Sequence, residues 1–372
     1  MKRNKKEERF NEVTQLLRGI VNKARNDQLA FDSVFSSDLD LLFTTSNWGF
    51  REITLVIAIA RLLNRDYKAS EAFYNCNPRP LFEQPIRHIL SENNIPHRKS
   101  GPLNVAKATV GINDEWAGQR RPANVAAAVV RLVKWIENAQ HEELENFTVC
   151  LLARLLNESK KAEALNINIE PQTDPDFLYM ICNRLIKEVP DAGNTPQRIF
   201  GLLLHSYHEI LNTGIKVTGY KDRASTTSTT SKKPGDVNEE TREGLILKVY
   251  EVTVKPFDQQ RIIESFEALK AYDEMHNTYT NEVIVICRKC DIPSELSITA
   301  LNGVLGKYIY QDIIYYFVDI FEWMHLHLVT MPNESKLFFY KEINDYISDV
   351  NTSMKVKSLW MELNSDIHHE KV

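Results

Sequence analysis

Two neighbouring stretches decide the fold predicted for this chain: Pro234-Gly235-Asp236-Val237 (PGDV) and Leu245–Lys255 (LILKVYEVTVK). The first places an acid at the start of a strand. The second is rich in β-branched and aromatic residues and also predicts a strand, so the two are expected to pair as a β-hairpin. Because successive strand side chains alternate, Glu251, Thr253 and Lys255 are expected to point one way and the apolar residues between them the other way.

The polar face of this hairpin allows two interpretations. Two carboxylates, Asp236 and Glu251, together with Lys255 would suit a divalent cation that activates water beside a phosphate. A solvated charged face would explain the same residues, and the hairpin alone favours this second interpretation. The surrounding chain has to decide between them.

The segments around the hairpin alternate between helix and strand. A capping aspartate and helical spacing predict a helix over Asp258–Tyr272, and the apolar run Glu282–Cys287 predicts a strand buried on both faces. The same patterns predict helices over 177–189, 196–212, 293–302, 321–328 and 334–350, and strands over 214–219 and 313–320. This order is typical of an α/β fold with a mixed sheet flanked by helices.

The first half of the chain predicts a mainly helical domain. Helical spacing of apolar residues appears over 7–25, 48–63 (capped by Ser46 or Asn47), 125–138 and 144–156. Residues 166–175 are polar and interrupted by proline, which indicates a boundary. We therefore expect a helical N-terminal domain over 1–170, an α/β domain over 171–330 and a helical extension over 331–372.

Residues 75–124 combine prolines with basic and amide side chains. Guanidinium and ammonium groups can contact phosphates and guanine, amides can pair with adenine, and proline-stiffened loops reduce the ordering cost of binding. An irregular polar surface connection is the alternative. The DNA-binding candidates in this segment are Arg79, Arg87, Arg98, Lys99, Asn104, Lys107, Arg120 and Arg121.

Two further features lie close to the hairpin. The serine- and threonine-rich run 222–233 predicts a mobile loop, in which Lys232 and Lys233 could close over a bound DNA backbone; a tolerated insertion is equally compatible with it. Glu209, on the helix before the hairpin, is a candidate to reach a metal site in the neighbouring sheet.

The composition is that of an ordinary globular protein, with 43% hydrophobic and 26% charged residues. The net charge of −5 argues against coating nucleic acid by bulk charge but leaves room for a local basic cleft. No apolar run is long enough for a membrane span, and five irregularly spaced cysteines fit a reducing cytoplasm. Cys287 and Cys290 lack the second ligand pair that a structural zinc requires.

Over residues 196–325 the chain resembles the PD-(D/E)xK nuclease superfamily. The resemblance rests on the acid after Pro-Gly, the hairpin, and a strand bearing Glu and Lys that is followed by a helix and a buried strand. Within the superfamily it is most similar to type II restriction endonucleases of the SacI-like branch, which carry a YEVTVK-type strand. The phrases RPLFE (79–83) and KSGPLN (99–104) resemble the same branch more loosely.

The resemblance implies a restriction-endonuclease-like fold and Mg²⁺-dependent hydrolysis of double-stranded DNA. It assigns metal binding to Asp236 and Glu251. Cleavage of both strands of a palindrome would call for a homodimer. It also implies a bacterial cytoplasmic protein, with a cognate methyltransferase acting on the same site as a possible partner.

The family lysine usually stands two positions after the second acid, where this chain has Thr253. If Thr253-Val-Lys255 is the motif triplet, the lysine matches and the acid does not. If Glu251-Val-Thr253 is the triplet, the acid matches and a threonine replaces the lysine. We favour the second register, because a hydroxyl is a poor substitute for a carboxylate on Mg²⁺. A bulge or bend in the strand could still bring Lys255 to the site.

Two other functions fit the same sequence. One is a repair, recombination or mobile-element nuclease that recognises DNA structure. The other is a DNA-binding or interaction protein without catalysis, in which Asp236 and Glu251 are surface groups.

Overall fold

The computed structural model describes residues 2–26, 34–224 and 233–365. The chain forms two compact units, Met1–Ala164 and Leu165–Val372. The division falls next to the polar segment 166–175. Lys232 and most of the serine- and threonine-rich loop lie outside the described residues.

The first unit is helical, as the sequence predicts. Its longest predicted helices are confirmed, and short helical turns connect them through the proline-rich region. The helices are α1 (Lys2–Asn26), α2 (Ser36–Leu41), α3 (Gly49–Leu63), α4 (Ala69–Ala72), α5 (Pro78–Leu81), α6 (Arg87–Glu92), α7 (Gly101–Val105), α8 (Asp114–Gly118), α9 (Ala123–Asn138) and α10 (His141–Glu163).

Helix α3 lies at the centre of this unit. It is buried around almost its whole circumference, where it packs against α7, α9 and α10. A helix that is apolar on all sides is expected in such a position. The predicted cap is not formed as expected: the N-cap residue is Trp48, which has no side-chain capping bond, and Asn47, one position earlier, accepts a hydrogen bond from Gly49 N at 3.2 Å.

The second unit is an α/β structure. Its helices are α11 (Pro175–Glu188), α12 (Asn194–Ile210), α13 (Gln259–His276), α14 (Ile320–Thr330), α15 (Asn333–Ser348) and α16 (Met354–Ser365). Its strands are β1 (Lys216–Thr218), β2 (Val237–Glu240), β3 (Ile246–Val252), β4 (Glu282–Cys287), β5 (Thr299–Leu301), β6 (Val304–Tyr310) and β7 (Ile313–Asp319).

Within the described residues these seven strands form one mixed sheet in the order β1-β2-β3-β4-β7-β6-β5. The central strands β3, β4 and β7 are parallel, and the strands on either side of them pair antiparallel. Helix α13 forms the crossover between β3 and β4 that parallel neighbours require. The α/β fold with a mixed sheet flanked by helices is therefore confirmed.

Helices cover both faces of the sheet and define two cores. On one face, α13 packs with Val249, Val283 and Val285. On the other, α11, α12, α14, α15 and α16 pack with Tyr250 and Val252. Residues of β3 alternate between these two cores, as the period of a strand requires.

The helix predicted over 293–302 does not form, and the end of the chain holds an element that was not predicted. In place of a helix over 293–302, the chain forms β5 and turns through Gly303, at φ +80°, into β6. The Asn302-Gly303 turn signal outweighs the helical spacing before it, because Gly303 takes a left-handed conformation that other residues resist. Strand β6 and helix α16 were not predicted, and the last helices share the core of the second unit.

The predicted strand 245–255 is shorter at its end than expected, since β3 stops at Val252. The hydroxyl of Thr253 lies 3.1 Å from both the N and the O of Lys255. Such side-chain bonds to the nearby backbone compete with the sheet ladder, and Pro256 follows immediately. The chain therefore turns away at Thr253.

Across the described residues, no helix combines the length and the apolar character that crossing a membrane would demand.

Candidate active site at the end of β3

The register of the hairpin brings Asp236 and Glu251 together. Val237 of β2 pairs with Tyr250 of β3 in antiparallel register, so the next residues outward, Asp236 and Glu251, are cross-strand neighbours. Side chains at directly opposite positions have Cβ atoms about 4.5–5.5 Å apart. Both residues share the parity of Val249, which faces α13, so both carboxylates lie on the α13 side of the sheet.

Asp236 lies in a loop that neighbouring groups hold tightly. Its Oδ2 accepts a hydrogen bond from Val252 N at 3.1 Å, and Gln197 Nε2 donates to its carbonyl oxygen at 3.4 Å. Asn238 Nδ2 donates to the carbonyl of Gly235, the preceding residue, at 3.2 Å. Gly219 passes so close that a Cβ there would lie 2.2 Å from the Asp236 carbonyl oxygen. The backbone around this carboxylate is therefore well defined.

Glu251 is held by helix α13. The side chain is 6% exposed, and its Oε1 accepts a hydrogen bond from Ser265 Oγ at 3.0 Å. Arg261 precedes Ser265 by one turn on the same side of the helix, so both reach the end of β3. The Asp258 side chain accepts from Arg261 N at 3.0 Å and so caps the start of the helix, which sets where this stripe begins.

Burial and the Asp236 charge disfavour the ionisation of Glu251. Burial and the negative charge of Asp236 raise the pKa of Glu251 to about 8, while the Arg261 guanidinium opposes this shift. Burial likewise raises the pKa of Asp236, opposed by the hydrogen bond from Val252 N, by the charge of Arg261 and by a hydrogen bond with Glu251. With its pKa near 8, Glu251 is mostly protonated at neutral pH, and a bound cation would favour ionisation of both carboxyls.

Thr253, two positions after Glu251, is buried and its hydroxyl is fully engaged. It accepts from Arg261 Nη1 at 2.5 Å and from Lys255 N, and it donates to the Lys255 carbonyl. A hydroxyl has one donor and two acceptor positions, so these three bonds use all of them. Thr253 therefore holds Arg261 and the turn.

The other two candidates, Lys255 and Glu209, are exposed. Lys255 follows the turn and is exposed, beyond the end of the strand on which the sequence analysis placed it. Glu209 is exposed on α12, which packs on the opposite face of the sheet. The structure thus brings together Asp236, Glu251 and Thr253 and leaves Glu209 outside the site.

The buried acid facing α12 is Glu239. Its Oε1 lies 2.9 Å from His208 Nε2, and the Tyr250 hydroxyl also bonds to it. Burial raises the pKa of Glu239, but the hydrogen bond with His208 and, to a lesser extent, that with Tyr250 hold it below its usual range. This cluster joins α12 to β2 and β3 and is separated from Asp236 and Glu251 by the sheet itself.

The DNA-binding candidates fall into two groups in the structure. Lys99, Asn104 and Lys107 are exposed, as is Arg79, whose guanidinium lies 3.9 Å from Glu83; Arg87 is half-buried.

The second group holds loops of the first unit together. Arg120 donates to the carbonyls of Val105 and Lys107, both at 2.7 Å, and Arg121 donates to its own loop. Arg98 Nη2 donates to Ser46 O at 3.1 Å. In the second unit, Lys233 forms an ion pair with Asp222 at 2.5 Å. Their charges are partly committed to internal contacts.

The donor set at the end of β3 fits Mg²⁺. Mg²⁺ is usually bound through one or two carboxylates and keeps several waters, and Asp236 and Glu251 supply two adjacent carboxylates. No cluster of three or more His, Cys, Asp or Glu side chains with metal-binding geometry occurs within residues 7–26, 34–224 and 233–365. The best candidate for a Mg²⁺ site is therefore the pair Asp236 and Glu251, with water and substrate oxygens as the other ligands.

Sequence reasoning missed three groups around the carboxylates: Arg261, Ser265 and Gln197. The sequence contains a signal for the first two. Arg261 and Ser265 are polar residues four positions apart, and they lie on the helix that begins at the Asp258 cap and directly follows the strand of Glu251. The contact of Gln197 depends on how α12 packs against the loop, which no local pattern encodes.

Neither a scan against protein-family models nor a search of the curated proteins finds a match to this chain.

Proposed function

We propose that this protein is a Mg²⁺-dependent endonuclease with a restriction-endonuclease-like catalytic unit, acting on phosphodiester bonds of double-stranded DNA. The observation that carries the proposal is the pairing of Asp236 with Glu251 across β2 and β3, at the carboxyl ends of parallel strands. Ligands of open α/β sheets commonly bind at this edge. The family motif supports the same two residues.

The chain's own groups suit this reaction. Asp236 and Glu251 would hold the cation, which when bound supplies charge neutralisation at the phosphate and lowers the pKa of water. Val252 N and Ser265 Oγ orient the two carboxylates, so the charge is in place before substrate arrives. In the hydrolysis, a water oxygen bonds to phosphorus, the bond to one bridging oxygen breaks, and that oxygen takes up a proton as the water loses one to solvent.

The type II restriction function adds sequence specificity and two-fold symmetry. The exposed residues Lys99, Asn104 and Lys107 support a base-reading role for the first unit, because amide and ammonium groups on a stiffened loop can contact base edges. A homodimer would place two copies of the carboxylate pair on the two strands.

Digestion of DNA of known sequence, with all ends mapped, tests the proposal. Purified protein with Mg²⁺ is expected to give discrete fragments with ends at one recurring sequence. Preferential cutting of branched or damaged DNA would replace the restriction function with that of a structure-specific nuclease. Absence of cleavage over several DNAs with Mg²⁺ and Mn²⁺ would overturn the proposal.

A further inference from the structure

The position two residues after Glu251 carries no positive charge, yet a cation reaches it from another element. Thr253 occupies that position, and Arg261 of α13 places Nη1 2.5 Å from its hydroxyl. The guanidinium carbon also lies 4.8 Å from the centre of the Phe257 ring, on which it can stack. Two contacts from different parts of the turn thus hold one guanidinium at the end of β3.

We propose that Arg261 supplies, from helix α13, the positive charge that acts on the scissile phosphate beside Asp236 and Glu251, with Thr253 as its positioning residue. This inference rests on the proposed nuclease function and identifies a further catalytic residue for it. The charge would stabilise the negative charge that builds on phosphate oxygens during attack.

The electrostatics of the site agree with this placement. The positive charge of Arg261 lowers the pKa of both Asp236 and Glu251, so its guanidinium is close enough to act on each carboxylate. By contrast, the Lys255 side chain is exposed beyond the turn. A guanidinium has five N–H donors and no acceptor, so Arg261 can stabilise charge but cannot remove a proton from water.

The position of Arg261 also costs the helix stability. It lies in the first turn of α13, which has no acidic residue, where the helix dipole disfavours a cation. Because a cation at this end of α13 is unfavourable, a role of Arg261 at the site explains its position better than a contribution to the stability of α13 does.

The test compares single-turnover cleavage by the full chain and four variants. Arg261→Ala is expected to slow cleavage by about 100-fold, the usual effect of removing one preorganised charge-stabilising donor. Arg261→Lys is expected to recover part of the rate, because it restores charge without the planar fork. Thr253→Val keeps the Arg261 guanidinium but removes the hydroxyl that holds it. Its cleavage rate is expected to lie between those of the native protein and Arg261→Ala. Lys255→Ala is expected to slow cleavage less than Arg261→Ala does.

Two controls separate chemistry from folding and binding. Arg184→Ala removes a surface arginine of α11 that pairs with Glu188 and Glu362, and is expected to match the native rate. Mn²⁺ affinity, measured by calorimetry without DNA, is expected to rise in Arg261→Ala, since the carboxylates lose a competing cation. If Arg261 served only to hold the structure of the site, Arg261→Ala would instead bind Mn²⁺ more weakly than the native protein.

The outcomes distinguish the two proposals. Native-like cleavage by Arg261→Ala, or a larger loss in Lys255→Ala, would overturn the role of Arg261 while leaving the nuclease in place. A loss of Mn²⁺ binding in Arg261→Ala would also overturn it. Failure of the native protein to cleave any DNA would overturn the nuclease function and this inference with it.

Discussion

Among single residues, Asp236 and Glu251 combine burial, a raised pKa for each carboxyl and a fixed orientation. Ser265 Oγ donates to Glu251, and Val252 N donates to Asp236, so the donors that orient both carboxylates are neutral. Groups kept in such an unfavourable arrangement are typical of functional sites. We therefore expect that replacing one of these carboxyls stabilises the metal-free protein and weakens metal binding.

Glu251→Gln is expected to stabilise the metal-free protein at neutral pH by about 1 kcal/mol, because it removes a carboxyl that has to take up a proton on folding, its pKa being raised to about 8, and it keeps the acceptor for Ser265. The same variant is expected to lose the rise in melting temperature that Mn²⁺ gives the native protein. Thermal unfolding with and without Mn²⁺ measures both effects.

Glu267→Gln, at an exposed position of the same helix that carries Ser265, is the matched control and is expected to change neither quantity. A Glu251→Gln protein that is less stable than the native one, or that is still stabilised by Mn²⁺, would show that the carboxylate pair is not a cation site.

The sequence identified this pair but not its surroundings. Asp236 and Glu251 follow from strand alternation and the motif, both of which are local. The bond from Ser265 and the approach of Arg261 depend on the angle at which α13 returns over the sheet. The expectation that Lys255 shares the face of Glu251 assumed a strand that continues, whereas the Thr253 hydroxyl turns the chain.

At the scale of elements, the segment before β2 is held by close backbone packing. Gly219, at φ +89°, brings its Cα against the carbonyl of Asp236, whereas a methyl group added at Gly244, at φ +88°, would meet no described atom within 4 Å. Both positions disfavour a side chain by conformation, but only Gly219 also excludes one by contact.

Gly219→Ala is therefore expected to destabilise the protein by at least about 2 kcal/mol more than Gly244→Ala, since a methyl group would push the Asp236 carbonyl away. Chemical denaturation of both variants measures the difference. Equal costs would mean that the loop can yield and that Asp236 is less firmly placed than the contacts indicate.

A half-buried histidine lies where α14 packs against α12. His327 stacks on Trp323 with ring centres 4.7 Å apart, and burial lowers its pKa to about 4. The groups that act on it from α12 and β2 are the Leu203 carbonyl, His208 and Glu239.

Because the unfolded chain protonates His327 near its ordinary pKa of 6.5 and the folded protein does so only near 4, stability is expected to fall as pH drops through this window. Between pH 7 and 5 this group should remove on the order of 1–2 kcal/mol. Urea unfolding across this range is expected to show a weaker pH dependence in His327→Gln than in the native protein. Equal dependence in the two proteins would assign the effect to other groups.

At the scale of the whole molecule, the chain divides into a helical unit and an α/β unit, each with its own apolar core. The fold class was predictable because long periodic segments and the buried run Glu282–Cys287 carry strong local signals. The β5–β6 hairpin was not, since β5 is short and exposed and gains its place only by pairing with β6.

A protein comprising residues 165–372 is expected to unfold cooperatively and to bind Mn²⁺ with about the affinity of the full chain. Every described contact of Asp236 and Glu251 lies within this unit, and domains with their own core can fold alone. Circular dichroism and calorimetry test this expectation. A fragment that is unfolded, or folded without Mn²⁺ binding, would mean that the site depends on the first unit.

The most direct test of the central claim is the rate of Mg²⁺-dependent cleavage of a DNA duplex by the native protein, Asp236→Asn, Glu251→Gln and the control Glu267→Gln. If the carboxylate pair is the catalytic centre, the native and control proteins cleave at the same rate, and each of the two site variants loses at least about 100-fold. Cleavage that persists in both site variants, or is absent from the native protein, would contradict the account.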